Sequence, residues 1–198
     1  MFGRFLELSL TTSDIATSVL FYERLGFTQL RLIADFHDHR PYIRALADSV
    51  REHWQQHGRA AHLLMSFHGI PQRYVAQGDA YGTQCQTTAR LLAEALELPA
   101  DAWSVSFQSR FGKARWLEPA TDRVLAQLAR AGTRSIEVIC PGFSADCLET
   151  LEEIAIGGRE IFLHAGGERF QYVPALNARA DHALALAQLT LATPAIVP

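Results

Sequence analysis

The stretch AHLLMSFHGIPQRY, Ala61–Tyr74, decides the architecture. It is apolar almost without interruption from Leu63 to Phe67, then presents an ionisable ring, His68, followed by Gly69 and, two residues on, Pro71. A half-exposed strand would alternate apolar and polar residues, whereas an apolar run of this length bounded by turn residues reads as a strand buried on both faces. Three later stretches have the same character: AWSVSFQ (Ala102–Gln108), SIEVICP (Ser135–Pro141) and FQYVPAL (Phe170–Leu176). The intervals between them hold helices expected to begin near Tyr81, Pro119 and Asp146. A helix from about Tyr42 to His57, closed by Gly58, precedes the series, and another from about Ala180 to Leu191 ends it. Buried strands separated by helices of this length imply an α/β fold, doubly wound, with a mostly parallel sheet covered on both faces. Residues 33–198 are read as that domain. Ahead of it, FLELSL (Phe5–Leu10) reads as a strand and TSDIATSVLFYERLG (Thr12–Gly26) as a helix, an extra N-terminal βα unit over residues 1–32.

The 198 residues suit one such domain with a short appendage. With 48% hydrophobic residues, 20% charged and a net charge of −3, the chain carries no basic field for nucleic acid. No run approaches the ~18 apolar residues of a membrane span, and the N-terminus lacks a basic-then-apolar leader, so a cytoplasmic location is expected. Cys85, Cys140 and Cys147 are odd in number and lack C-x-x-C spacing. That pattern suggests free thiols rather than a disulfide framework, a zinc site or an iron–sulfur cluster.

In open parallel sheets ligands bind beyond the carboxyl ends of the strands. His68 ends the first strand of the series, Gln108, Ser109 and Arg110 follow the second, Phe143 to Asp146 the third, and Asn177 the fourth. Asp146, Glu149 and Glu153, at i, i+3 and i+7 of the third helix, are expected on one helical face. Each feature alone has a plain structural explanation. Acidic residues in a first helical turn suit the macrodipole, and a histidine at a strand end is more often a satisfied polar group than a ligand. Together, an imidazole and a row of carboxylates across one hollow can hold a divalent cation or pass protons.

The same residues carry a resemblance. The segments DFHDHRPYIRALADSVREHW (Asp35–Trp54), SFHGIPQRYVAQGDAYGTQC (Ser66–Cys85), WSVSFQSRFGKARWLEPATD (Trp103–Asp122), VICPGFSADCLETLEEI (Val138–Ile154) and FQYVPALN (Phe170–Asn177) resemble, in order, the C-terminal half of the ferrochelatases. The likeness runs from about Ile33 to Leu189. It implies insertion of ferrous iron into protoporphyrin IX in haem biosynthesis, with Fe²⁺ as substrate, no prosthetic group and no iron–sulfur cluster. The resemblance assigns His68 and Glu149 the catalytic pair, taking pyrrole protons or holding the metal, and extends the metal-handling set to Asp146 and Glu153. It places Tyr81, Trp116 and Phe143 around the porphyrin, with Asp79 in the associated loop, and Gln108 joins this ring-binding group. Peripheral membrane contact and self-association stay open.

Three departures from the family pattern stand out. The loop usually reading G-D-P-Y is G-D-A-Y here, with Ala80 in place of proline. Cys147 stands where some relatives have histidine. Gly157 and Gly158 stand where polar helix formers are usual; at about 1 kcal/mol each relative to alanine, they suggest a helix that breaks or bends beyond Ala155.

The family is built of two similar α/β domains with the porphyrin between them, and most of the first is not recognisable here. The first thirty residues instead resemble the opening βα unit of the vicinal-oxygen-chelate (glyoxalase and bleomycin-resistance) superfamily, through D-I-x-x-S-x-x-F-Y-E-R-L-G-F (Asp14–Phe27), with Glu7 on the strand that often supplies a metal ligand there. The chain therefore reads as a composite. A one-sided site is expected to grip the ring weakly and without strain. The alternative to an active chelatase is a non-catalytic α/β scaffold, or a weak tetrapyrrole or metal binder. A glyoxalase-like metal enzyme is a third reading, carried only by the first thirty residues.

Overall fold

The computed structural model describes residues 33–193 together with Leu20, Phe21 and Arg24. The chain forms two compact units, Met1–Ala34 with Thr190–Pro198, and Asp35–Leu189. The strand expected at Phe5–Leu10 lies outside the described residues. Of the helix expected at Thr12–Gly26, Leu20, Phe21 and Arg24 are described, and all three are helical.

The larger unit is built on four strands, β1 (His62–His68), β2 (Trp103–Gln108), β3 (Ser135–Ile139) and β4 (Arg169–Val173). All neighbours are parallel, in the order β2-β1-β3-β4. The helices are α1 (Arg40–His57), α2 (Gln72–Ala76), α3 (Tyr81–Ala95), α4 (Thr121–Arg130), α5 (Arg159–His164) and α6 (Ala180–Ala192), with a π-helix over Glu149–Gly158. Alternation along β1 sorts its side chains between two cores. Leu63, Met65 and Phe67 pack with Leu46 and Val50 of α1 and with Ala89 and Leu92 of α3. Leu64 packs with Ile136 and Val138 of β3, Leu125 of α4, Ile154 and Phe162. Helices therefore cover both faces, which makes the sheet doubly wound and explains why β1 has no solvent-exposed face. β4 stops at Val173 because Pro174 has no N–H with which to continue the ladder.

The helix expected from Asp146 differs from that reading. It begins at Leu148, passes at Glu149 into the π form, and runs without interruption through Gly157 and Gly158 into α5. Its buried residues, Thr150, Ile154 and Gly158, recur every fourth position. Hydrogen bonds from i to i+5 widen each turn, so the packing face repeats at a longer spacing than in an α-helix. Gly158 lies where that face meets α4 and β4: a Cβ there would stand 3.2 Å from Leu125 Cδ1 and 3.6 Å from Phe170 Cζ. Close packing, rather than a break, accounts for the glycine.

Asp146 sits outside the helix and fixes its start. Its Oδ1 accepts hydrogen bonds from the Tyr172 hydroxyl (2.6 Å), the Thr150 hydroxyl (3.1 Å) and the Ala175 amide (3.3 Å). Its Oδ2 accepts from Asn177 Nδ2 at 2.8 Å, while Asn177 Oδ1 accepts from the Asp146 amide at 2.9 Å. Asn177 holds this posture in the left-handed region, φ 49°, which asparagine tolerates better than most residues. Burial alone would raise the Asp146 carboxyl's pKa, but the bonds from Tyr172, Asn177, Ala175 and Thr150 outweigh it and hold the group below its ordinary value of 3.8.

Two outcomes follow for stability. Gly158→Leu overpacks the contact with Leu125 and Phe170 and is expected to lower the urea-unfolding free energy by about 1–3 kcal/mol. Asp146→Asn weakens the clasp by a similar order, about 1–3 kcal/mol at neutral pH. Because the folded pKa is depressed, the carboxylate's contribution is full above 3.8 and lost as pH falls through the lower folded value. The melting-temperature gap between Asp146→Asn and the parent chain is therefore expected to narrow as pH is taken below about 4.

Candidate active site

His68 is the last residue of β1, so its ring emerges at the carboxyl edge of the sheet, beside the first residue of the π-helix. Its Nε2 lies 3.2 Å from Glu149 Oε1. Its Nδ1 lies 2.5 Å from the Gly69 carbonyl oxygen. A carbonyl only accepts, so Nδ1 carries the hydrogen and Nε2 is the nitrogen turned to Glu149. The Phe143 ring packs on the imidazole, centroids 6.2 Å apart at 43°. The pair is open to solvent, with side chains 38% and 43% exposed. At that exposure the contact, an ion pair only when Nε2 also carries a proton, contributes at most about 0–1 kcal/mol, too little to hold strand and helix in place.

The anchoring lies underneath. Gln108, the last residue of β2 and the backbone partner of His68, is 1% exposed. Its Nε2 donates to the Glu149 carbonyl at 2.8 Å, and its Oε1 accepts from Ser66 Oγ at 2.7 Å and Cys140 Sγ at 3.3 Å. Ser66 Oγ lies 2.8 Å from Thr121 Oγ1, which donates to Ser106 Oγ (2.9 Å). Burial pushes the Cys140 thiol upward, so it stays protonated and able to donate. Gln108 was expected to reach a bound ring. Its amide is instead spent at both ends inside the protein.

The three carboxylates expected to look the same way are separated by the π-helix start. Asp146 has both oxygens engaged in the clasp toward β4. Glu153 Oε1 accepts from the Ser109 amide at 2.8 Å, and Ser109 Oγ lies 3.3 Å from Oε2. This tie accompanies a left-handed Ser109, φ 62°, at the end of β2. Glu149 differs from both: Oε1 faces His68, and Oε2 has the half-buried Cys147 thiol at 3.9 Å.

Phe143 and Trp116 lie beside His68 and its neighbour Gly69, whereas Tyr81 lies in a cavity whose lining includes neither His68 nor Glu149. Trp116 stands over Gly69, where a Cβ would come 3.3 Å from Trp116 Cε3 and 2.8 Å from the Gln108 carbonyl oxygen. Only glycine fits next to His68. The Trp116 Nε1 donates to the Phe111 carbonyl at 3.0 Å, and with Arg110, Phe111, Arg115 and Arg123 this tryptophan lines a cavity of about 590 Å³. Tyr81 lines a second cavity of about 220 Å³ with Phe36, Tyr42, Phe67 and Gly142. Burial raises the Tyr81 phenol, which keeps it neutral. Asp79 caps the start of α3, its Oδ1 accepting from the Tyr81 amide at 2.9 Å, so the turn is held although Ala80 replaces proline.

Sequence reasoning missed Ser66, Ser106 and Thr121. Ser66 and Ser106 carry one signal, small hydroxyl residues that interrupt apolar strands at positions sharing a face with Gln108; Thr121, the first residue of α4, carries none. It also missed Asp35, His37 and Asp38, each with a ligand-type atom within 4.8 Å of the others. Asp35 and His37 already pair at 2.6 Å on the surface. No helix among the described residues is long and apolar enough to cross a membrane. All three cysteines are free.

Residues 10–193 match the family model described as Ferrochelatase. The chain is 61% identical over 153 residues to a ferrochelatase of Aeromonas hydrophila, covering 77% of this chain and 47% of that relative. It is 53% identical over 161 residues to one of Nitrosococcus oceani, 81% and 44% of the two chains. A ferrochelatase of Teredinibacter turnerae is 53% identical over 176 residues, 89% and 48%. The chain thus spans about half the length of the curated relatives it matches. The family match begins inside the segment compared above with the vicinal-oxygen-chelate superfamily, and the comparisons lend that second resemblance no support. By a match over most of its residues, with the His68–Glu149 edge inside it, the chain belongs to the ferrochelatase family.

Proposed function

We propose that this chain, through an α/β domain at residues 33–198, performs ferrochelatase-type insertion of Fe²⁺ into protoporphyrin IX, with His68 and Glu149 as the reacting pair. The observation that carries the reading is the 3.2 Å approach of His68 Nε2 to Glu149 Oε1 while Nδ1 is committed to the Gly69 carbonyl. A bare nitrogen lone pair and a carboxylate oxygen at that separation repel. A proton or a cation belongs between them. Those are the two species the reaction exchanges: Fe²⁺ enters as substrate and two pyrrole protons leave.

Imidazole and carboxylate together suit a ferrous ion of borderline softness, and either can take a pyrrole proton at this solvent-open edge. Glu153, four residues along the helix, extends the acidic row, and Asp146 serves it by holding the helix start. Trp116, Phe143 and Tyr81 offer apolar walls against which a macrocycle is held and bent so that its nitrogen lone pairs are exposed. Asp79 supports Tyr81 by capping its helix. The matched half contains every residue given a role here, which favours the family's chemistry for this chain. Composition favours a cytoplasmic setting for the reaction.

The test is anaerobic incubation with protoporphyrin IX and Fe²⁺ or Zn²⁺, followed by the absorption of the metalloporphyrin. Product is expected, and its rate is expected to fall by at least about 100-fold in His68→Ala and in Glu149→Gln. Ring binding without product favours a tetrapyrrole-binding scaffold. Product that survives both substitutions contradicts the assignment of the pair.

A further inference from the structure

We propose that Gln108 is the positioning residue of the site: it sets the spacing of His68 and Glu149 by holding one through the backbone and the other through its side chain. The proposal rests on reading His68 and Glu149 as the reacting pair. The geometry that supports it does not depend on that reading.

His68 and Gln108 are register partners at the ends of β1 and β2, and the Gly69 amide donates to the Gln108 carbonyl at 2.8 Å. The main chain of Gln108 therefore fixes where the His68 ring leaves the sheet. From the same residue the side-chain Nε2 reaches across to the Glu149 carbonyl at 2.8 Å. That carbonyl belongs to the first residue of the π-helix, so its position sets where the Glu149 side chain begins. Ser66 Oγ (2.7 Å) and Cys140 Sγ (3.3 Å) both bond Oε1 and orient the amide, which leaves the NH₂ facing Glu149. Full burial raises the cost of losing the link, because a carbonyl deprived of its donor in a dry interior has no water to replace it. The exposed His68–Glu149 contact cannot supply the same restraint.

The residue type is selective. Asparagine is one methylene too short to span the gap. Glutamate keeps an acceptor for Ser66 but sets an oxygen against the Glu149 carbonyl. Methionine keeps the volume and loses every hydrogen bond.

Gln108→Met and Gln108→Glu test this, with Thr121→Val as a control that damages the same buried network without cutting the Gln108–Glu149 link. Crystal structures of the folded variants are expected to show His68 Nε2 and Glu149 Oε1 separated beyond about 4 Å, the limit of an ion pair. Metalloporphyrin formation is expected to drop about 10- to 100-fold, as for other groups that orient metal-binding side chains. The loss should fall on kcat, with KM for the ring unchanged. Thr121→Val should melt at a lower temperature yet keep both the separation and the rate. A folded Gln108→Met or Gln108→Glu that retains the parent separation overturns the proposal, as does a Thr121→Val that loses it equally. If Gln108→Met does not fold, Gln108→Glu decides, since it keeps the acceptor that Ser66 needs. If the parent chain forms no metalloporphyrin, the functional reading fails while the distances still judge the positioning role.

Discussion

The parallel register of β1 between β2 and β3 is the constraint on which the rest of the structure depends. Pairing of His68 with Gln108 on one side, and of Met65 with Ile139 on the other, brings the ends of three strands to one edge. A shift of one residue would turn Leu64 and Ser66 toward the core that now holds Met65 and Phe67, and would swing the imidazole away from the helix that follows β3. Burial on both faces makes that shift costly, because each apolar side chain of β1 already has a filled place. The chemistry-bearing ring is thus placed by residues that take no part in chemistry.

Polarity around the site is layered. On the surface stands an imidazole–carboxylate contact whose own energy is small. Beneath it, Ser66, Gln108, Thr121 and Ser106, each 3% exposed or less, form a connected hydrogen-bonded network. Breaking one member leaves a buried donor or acceptor unpaired, at about 1–3 kcal/mol. A second anchor, the Asp146 clasp with Tyr172, Thr150, Ala175 and Asn177, ties the start of the π-helix to the end of β4. The two anchors approach that start from different strands. Glu149 stands between them, free to face a solvent-borne cation.

Much of this was legible in the residues. The four strands announce themselves as apolar runs, with His68 and Gln108 closing the first two and Asn177 four residues beyond the end of β4. What local pattern could not give is the interior of the site. An α-helical spacing placed Asp146, Glu149 and Glu153 on one face, but the π turn and the pull of Tyr172 and Asn177 draw Asp146 out of the row. Gly157 and Gly158 looked like helix breakers because propensity is a local quantity, whereas the contacts with Leu125 and Phe170 that favour a small residue at Gly158 come from distant parts of the chain. Gln108 looked like a ligand group because strand-end position does not reveal which way a side chain turns. The segment before residue 33 offered a short motif only, and a family match reaching back to residue 10 outweighs it.

The account stands or falls on whether one small cation sits between His68 and Glu149. Diffraction from crystals equilibrated anaerobically with Co²⁺, measured on both sides of the cobalt absorption edge, locates that ion without reliance on turnover. The account predicts an anomalous peak within about 2.0–2.2 Å of both His68 Nε2 and a Glu149 carboxylate oxygen. Cobalt bound elsewhere, with the imidazole and carboxylate left in their present contact, would contradict it.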